Sequence, residues 1–171
     1  TAVTVCGGTY YDSGGGGLYN YSNNENFTQT LTPATAGSKL RLSFNDFFTS
    51  NAADVLKIYD GADVNAPLLG SFSENDVPGV INAKNAEGKL TVSFVSDNLF
   101  QSTGWDAAIS CFTLEAEPTT NVSSLGVTPG STSITINSFT RGNGQNRLLL
   151  MKQGSAVNFN PVDGVEYAVN N

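Results

Sequence analysis

Two segments of this chain, Lys39-Leu-Arg-Leu-Ser-Phe44 and Lys89-Leu-Thr-Val-Ser-Phe-Val95, alternate polar and apolar residues. A period of two sends successive side chains to opposite faces of an extended strand, so each segment reads as a strand with one face buried. Residues 26–31, 55–59, 68–72 and 105–111 read as further short strands. The run 55–59 ends at Asp60-Gly61, a turn dipeptide because glycine tolerates positive φ. No segment between them carries a 3.6-residue apolar period of helix length. Short strands separated by Gly, Pro, Asn and Asp predict an all-β fold, an antiparallel sandwich or jelly roll.

A second strand pattern follows Cys111. Glu115-Ala-Glu-Pro-Thr-Thr120 is acidic and carries a proline, as a hinge would. Beyond it Ser133-Ile-Thr-Ile-Asn137 alternates, Arg141-Gly-Asn-Gly144 is turn-rich, and Arg147-Leu-Leu-Leu-Met-Lys152 is an apolar run of strand length. An immunoglobulin-like sandwich needs about 100 residues, and roughly half that number remain here. The expectation is one complete domain over residues 1–115, a linker at 116–120, and the front half of a second domain over 121–171. The chain would then be a piece of a longer polypeptide.

Composition excludes several functions. The chain has no histidine, which removes the commonest general base, the commonest transition-metal ligand and the Ser-His-Asp triad together. A net charge of −7 disfavours nucleic acid, whose phosphates demand clustered Lys and Arg. No apolar run approaches the ~20 residues of a membrane-spanning helix. A surface rich in Asn, Ser, Thr and Gly is usual for secreted β-proteins, so a secreted or cell-surface location is expected.

Tyr10-Tyr-Asp-Ser-Gly-Gly-Gly-Gly-Leu-Tyr-Asn-Tyr21 contains four consecutive glycines. A phosphate-binding loop needs Lys and Ser/Thr after its last glycine and then a helix, and neither follows. No strand–helix unit surrounds the run, so a dinucleotide loop fails as well. What remains is a mobile surface connection between strands.

Cys6-Gly-Gly, the glycine loop, Tyr21-Ser-Asn-Asn, Leu56-Lys-Ile-Tyr-Asp-Gly61, Pro67-Leu-Leu-Gly-Ser-Phe72, Leu90-Thr-Val-Ser-Phe-Val-Ser-Asp97 and Gly104-Trp-Asp-Ala-Ala-Ile-Ser-Cys111 follow one another in the order of a CUB domain. The resemblance runs from about Val5 to Cys111 and implies a CUB-like antiparallel jelly-roll β-sandwich. Gly142-Asn-Gly144, Gly154-Ser-Ala-Val157 and Pro161-Val-Asp-Gly164 resemble the start of a fibronectin type III-like repeat, as in large secreted bacterial proteins.

Many CUB domains hold calcium at one end of the sandwich through a tyrosine, a glutamate and two aspartates. The resemblance places the tyrosine at Tyr21 and the aspartates at Asp54 and Asp97. The glutamate position falls near Ser50, and neither Ser50 nor Asn51 is acidic. Calcium takes roughly 6–8 oxygens, so any site here would be weak, in the ~10⁻⁴–10⁻³ M range of extracellular modules. The alternative is that Asp54 and Asp97 cap their own turns. Many CUB domains also pair the first cysteine with a near neighbour, but Phe27 occupies that place. Cys6 is left with Cys111, and two buried free thiols are the alternative to that bond.

Tyr59 and Trp105 lie in strand patterns and read as core rather than as a sugar platform. Tyr10, Tyr11 and Tyr19 flank the glycine loop and are the candidate contact residues. Asp60/Asp63 and Glu74/Asp76 lie in turns with no cleft implied, which argues against a glycosidase acid pair. Asn20, Asn26 and Asn121 begin N-x-S/T sequons. The function expected is a non-catalytic binding module of a larger secreted protein, with a protein or glycan ligand. A carbohydrate-binding module appended to a secreted hydrolase is the alternative.

Overall fold

A computed structural model describes residues 2–16, 19–114, 118–144 and 148–160. It contains strands and no helix among the described residues, in two compact units, Thr1–Thr113 and Leu114–Asn171.

In the first unit β1 (Ala2–Val5), β3 (Asn26–Pro33), β5 (Val55–Tyr59), β6 (Leu68–Phe72) and β8 (Leu90–Val95) form one sheet in the order β1-β3-β8-β5-β6. The other sheet, β2-β9-β4-β7, joins β2 (Thr9–Tyr11), β4 (Lys39–Phe48), β7 (Val80–Asn82) and β9 (Gly104–Phe112). The period-two segments behave as their pattern requires. Leu40, Leu42 and Phe44 of β4 point into the core, as do Leu90, Val92 and Phe94 of β8. Trp105 sits among Tyr10, Phe27, Phe47 and Phe94, with ring centroids 5.0–6.5 Å away. It is core, as expected, while Tyr59 is half-buried.

The sandwich departs from a wholly antiparallel one at a single edge. β1 runs parallel to β3, from Ala2 opposite Thr30 to Val5 opposite Pro33. The bond between Cys6 and Cys111, with Cα atoms 5.0 Å apart, ties the residue after β1 to β9. β1 and β9 lie in different sheets, so this link staples the two layers.

In the second unit β10 (Ser123–Pro129) and β11 (Ile134–Thr140) form an antiparallel hairpin, its turn closed by a 2.7 Å bond from Gly130 N–H to the Ser133 carbonyl. Residues 148–152, expected as a strand, carry no regular structure, and Arg147 lies outside the described residues. Val122, Leu125, Ile136, Phe139, Leu148 and Leu149 line an open apolar cavity of about 150 Å³. A two-stranded ribbon buries neither face, which explains why apolar side chains of both strands remain exposed.

Candidate functional site

Three connections meet at one end of the first unit: residues 12–25 between β2 and β3, 49–54 between β4 and β5, and 96–103 between β8 and β9. Tyr21 is fully buried, its ring set edge-on against Phe94 at 5.1 Å. Its hydroxyl donates to Asp54 Oδ2 at 2.5 Å and accepts from Ser50 N–H at 2.8 Å. Burial first, and then the bond to Asp54, push the Tyr21 phenol above its ordinary value, so it keeps its proton and acts as donor.

Asp54 is also fully buried, and both its oxygens are occupied. Oδ1 accepts from Asp97 N–H at 2.8 Å, and Oδ2 takes Tyr21 and lies 2.8 Å from Ser50 Oγ. Ser50 Oγ is also 2.9 Å from the Phe100 carbonyl, so its single proton serves one of these two acceptors at a time. Asp97 Oδ1 accepts from Leu99 N–H at 2.8 Å, and Oδ2 from the Asn51 side-chain amide at 3.2 Å. Tyr21, Asp54 and Asp97, separated in sequence by up to 76 positions, thus belong to one network (97 − 21 = 76).

A second layer of bonds seals residues 20–25 to residues 96–102. Tyr21 N–H reaches the Ser102 carbonyl, Asn24 N–H the Asp97 carbonyl, and Ser96 N–H the Glu25 carbonyl, at 2.7–3.2 Å. The start of the glycine run is held by hydrogen bonds to Asp12. Asp12 is buried and accepts from Gly14 N–H at 2.7 Å and Trp105 N–H at 3.0 Å. A Cβ on Gly14 would lie 2.7 Å from the carbonyl oxygens of Tyr19 and Asn20, and one on Gly16 would meet the Tyr11 ring. These glycines permit close approach rather than looseness; Gly17 lies outside the described residues.

The tyrosines divide. Tyr10 is 8% exposed, so it is no contact residue: it is the inward-facing middle residue of β2, and burial drives its phenol far above the ordinary value. Tyr11 is 40% exposed and Tyr19 72%. The most exposed aromatic of this end is one the sequence reading passed over. Phe100 is 78% exposed and Leu99 55%, in the connection whose base is held by Asp97. Their only signal in the sequence is an apolar pair inside the polar stretch Ser96-Asp-Asn-Leu-Phe-Gln-Ser102.

Asp60 ties its turn to Lys84 and Asn85, and Asp63 holds its own turn. Asp60 Oδ1 accepts from Lys84 N–H, Asn85 N–H and the Asn85 amide at 2.7–3.1 Å, and Asp63 Oδ1 accepts from Asn65 N–H. Burial acts to raise Asp60, but these donors outweigh it and hold the carboxyl below its ordinary value. Among the described residues no three His, Cys, Asp or Glu side chains come together as metal ligands.

The donor set does not fit calcium. The ion calls for oxygen ligands facing inward, and only two acids converge. Between them lie an O–H and an N–H₂ group, from Ser50 and Asn51, with the N–H₂ directed at Asp97 Oδ2. The orientation of the Asn51 amide is fixed, because its Oδ1 accepts from Ala53 N–H at 2.7 Å.

Residues 12–109 match the family model for the CUB domain. Cubilin of Sus scrofa is 34% identical over 112 residues, covering 60% of this chain but only 3% of cubilin's length. Two solved structures share the fold. The full extracellular region of zebrafish Gpr126/Adgrg6 aligns with a TM-score of 0.55 at 18% identity, over 77% of this chain and 16% of that one. The MASP-1 CUB2 domain bound to Ca²⁺ aligns with a TM-score of 0.50 at 20% identity, over 64% of this chain and 96% of that one. With more than half of its length matched by the family model and the strand order and disulfide in place, the chain belongs to the CUB-domain family.

Proposed function

We propose that residues 1–115 form a non-catalytic extracellular binding module of a larger multidomain protein, which meets a protein partner through the end built by Tyr21, Asp54 and Asp97. Residues 116–120 act as a linker and 121–171 as part of a fibronectin type III-like domain. The observation that carries this reading is the exposure of Leu99 and Phe100 on a connection whose base is fixed by hydrogen bonds. Apolar side chains held out on a rigid support lose little freedom when they are buried in a partner, the usual character of an interface anchor. An extracellular setting is supported by the Cys6–Cys111 bond, since disulfides persist in oxidising compartments. Likeness to the extracellular region of Gpr126/Adgrg6 agrees with it.

Asp54 is fully buried with both oxygens hydrogen-bonded, which argues against its serving as one of a glycosidase's paired acids. A glycan ligand keeps one specific support: Tyr11 and Tyr19 expose aromatic surface at the glycine loop. The test is a Leu99→Ser/Phe100→Ser variant and a Tyr11→Ala/Tyr19→Ala variant, screened with the wild type on arrays of extracellular proteins and of glycans. The Leu99/Phe100 variant should lose tenfold or more of its protein binding with its melting temperature within about 2 °C of wild type. Full retention of protein binding would refute the assignment, and glycan binding lost only in the tyrosine variant would establish the alternative.

A further inference from the structure

We infer that the loop end of this domain is closed by its own donors in place of a cation: Ser50 and Asn51 bridge Asp54, Asp97 and the Phe100 carbonyl, so its order does not depend on calcium. Two carboxylates drawn to one place repel each other unless positive charge or hydrogen-bond donors lie between them. Here every carboxylate oxygen has a donor. Asp54 receives Asp97 N–H, the Tyr21 hydroxyl and Ser50; Asp97 receives Leu99 N–H and the Asn51 amide. The Asn51 amide also lies 3.2 Å from Ser50 Oγ, which links the two bridging residues.

A calcium ion taking the Asp97 Oδ2 lone pair that now receives the amide, at ~2.3–2.6 Å, would displace Asn51. Doing so would break the contact of Asn51 Oδ1 with Ala53 N–H, since one side chain makes both. Ser50, at the position where the resemblance expects a glutamate, contributes a neutral hydroxyl that donates where an acid would coordinate. This inference stands on the network alone and holds whatever partner the loop end meets.

The test is thermal melting of the 171-residue chain in EDTA and in 5 mM calcium, with calcium titration by calorimetry alongside. The melting temperature should agree within about 1 °C, and no saturable calcium binding should appear below 1 mM, because a ligand that favours the native state raises the melting point. A rise above about 3 °C, or a saturable site below 1 mM, overturns the inference. An Asn51→Asp variant sharpens it. Placing a third carboxylate against Asp97 should lower the melting temperature in EDTA by several degrees and create a calcium-dependent recovery. A variant as stable as wild type in EDTA would show that the amide bridges nothing. Should the variant not fold in EDTA, the wild-type pair of melts decides.

Discussion

Asp12 shows how one buried side chain governs the stretch that dominates the sequence. It accepts two backbone N–H groups, and Gly104 packs so closely that a Cβ there would lie 2.1 Å from Asp12 Oδ2; Gly104 also holds φ at 67°. Asn at position 12 could accept only one of the two donors, and its amide would face the other, at a cost of about 1–3 kcal/mol. Burial raises the Asp12 carboxyl above its ordinary 3.8, the bonds from Trp105 and Gly14 oppose that, and Glu25 adds to it. A raised folded value means the native state binds the proton more readily than the unfolded one. The contribution of Asp12 is therefore greatest below pH 3.8 and declines as pH rises through the folded value. Urea titrations of wild type and Asp12→Asn from pH 3 to 6 should show a stability gap that narrows with rising pH. A gap that widens would contradict the assignment. The residue scale is also where the sequence misled. Tyr10 and Tyr11 are neighbours of one type, and a three-residue strand is too short for periodicity to say which faces inward.

At the scale of elements, legibility followed length and pattern. β4 and β8 were readable because Lys39–Phe44 and Leu90–Val95 alternate polar and apolar residues, although β4 bulges between Phe44 and Asp46 and Thr91 of β8 is buried beside its apolar neighbours. β1, β2 and β7, with three or four residues each, gave no periodic signal. The parallel pairing of β1 with β3 could not be read at all, since strand direction is set by tertiary placement rather than by local composition. Apolar content alone also proved insufficient: Leu148-Leu-Leu-Met151 forms no strand, having no alternation to assign a face and no partner among the described residues. The staple between the sheets is the element-scale feature with the largest expected effect. Cys6 and Cys111 are 105 positions apart, and a loop of about that size contributes roughly 4.7 kcal/mol in the chain-entropy view. A Cys6→Ala/Cys111→Ala variant should melt on the order of 10 °C or more below wild type. Melting within about 2 °C of wild type would show that β1 and β9 hold together without the bond.

On the scale of the whole molecule, the first unit is a two-sheet sandwich whose loops converge at one end, whereas the second offers, among the described residues, one hairpin with exposed apolar side chains. The sequence carried the convergence of Tyr21, Asp54 and Asp97 only through its resemblance to a family, because residues up to 76 positions apart share no local pattern (97 − 21 = 76). It carried less of how they are held: whether Ser50 and Asn51 are gaps in a cation site or its replacement depends on where an O–H and an amide point. In the reading proposed above, the protein's own hydrogen bonds build this end in advance and present Leu99 and Phe100 on a fixed support. Native-state hydrogen exchange of the Asp97 and Leu99 amides, which donate to Asp54 Oδ1 and Asp97 Oδ1, tests it most directly. In EDTA both amides should exchange at least tenfold more slowly than an unprotected backbone amide, with rates unchanged by millimolar calcium. Exchange at unprotected rates in EDTA, slowing only when calcium is added, would contradict the account.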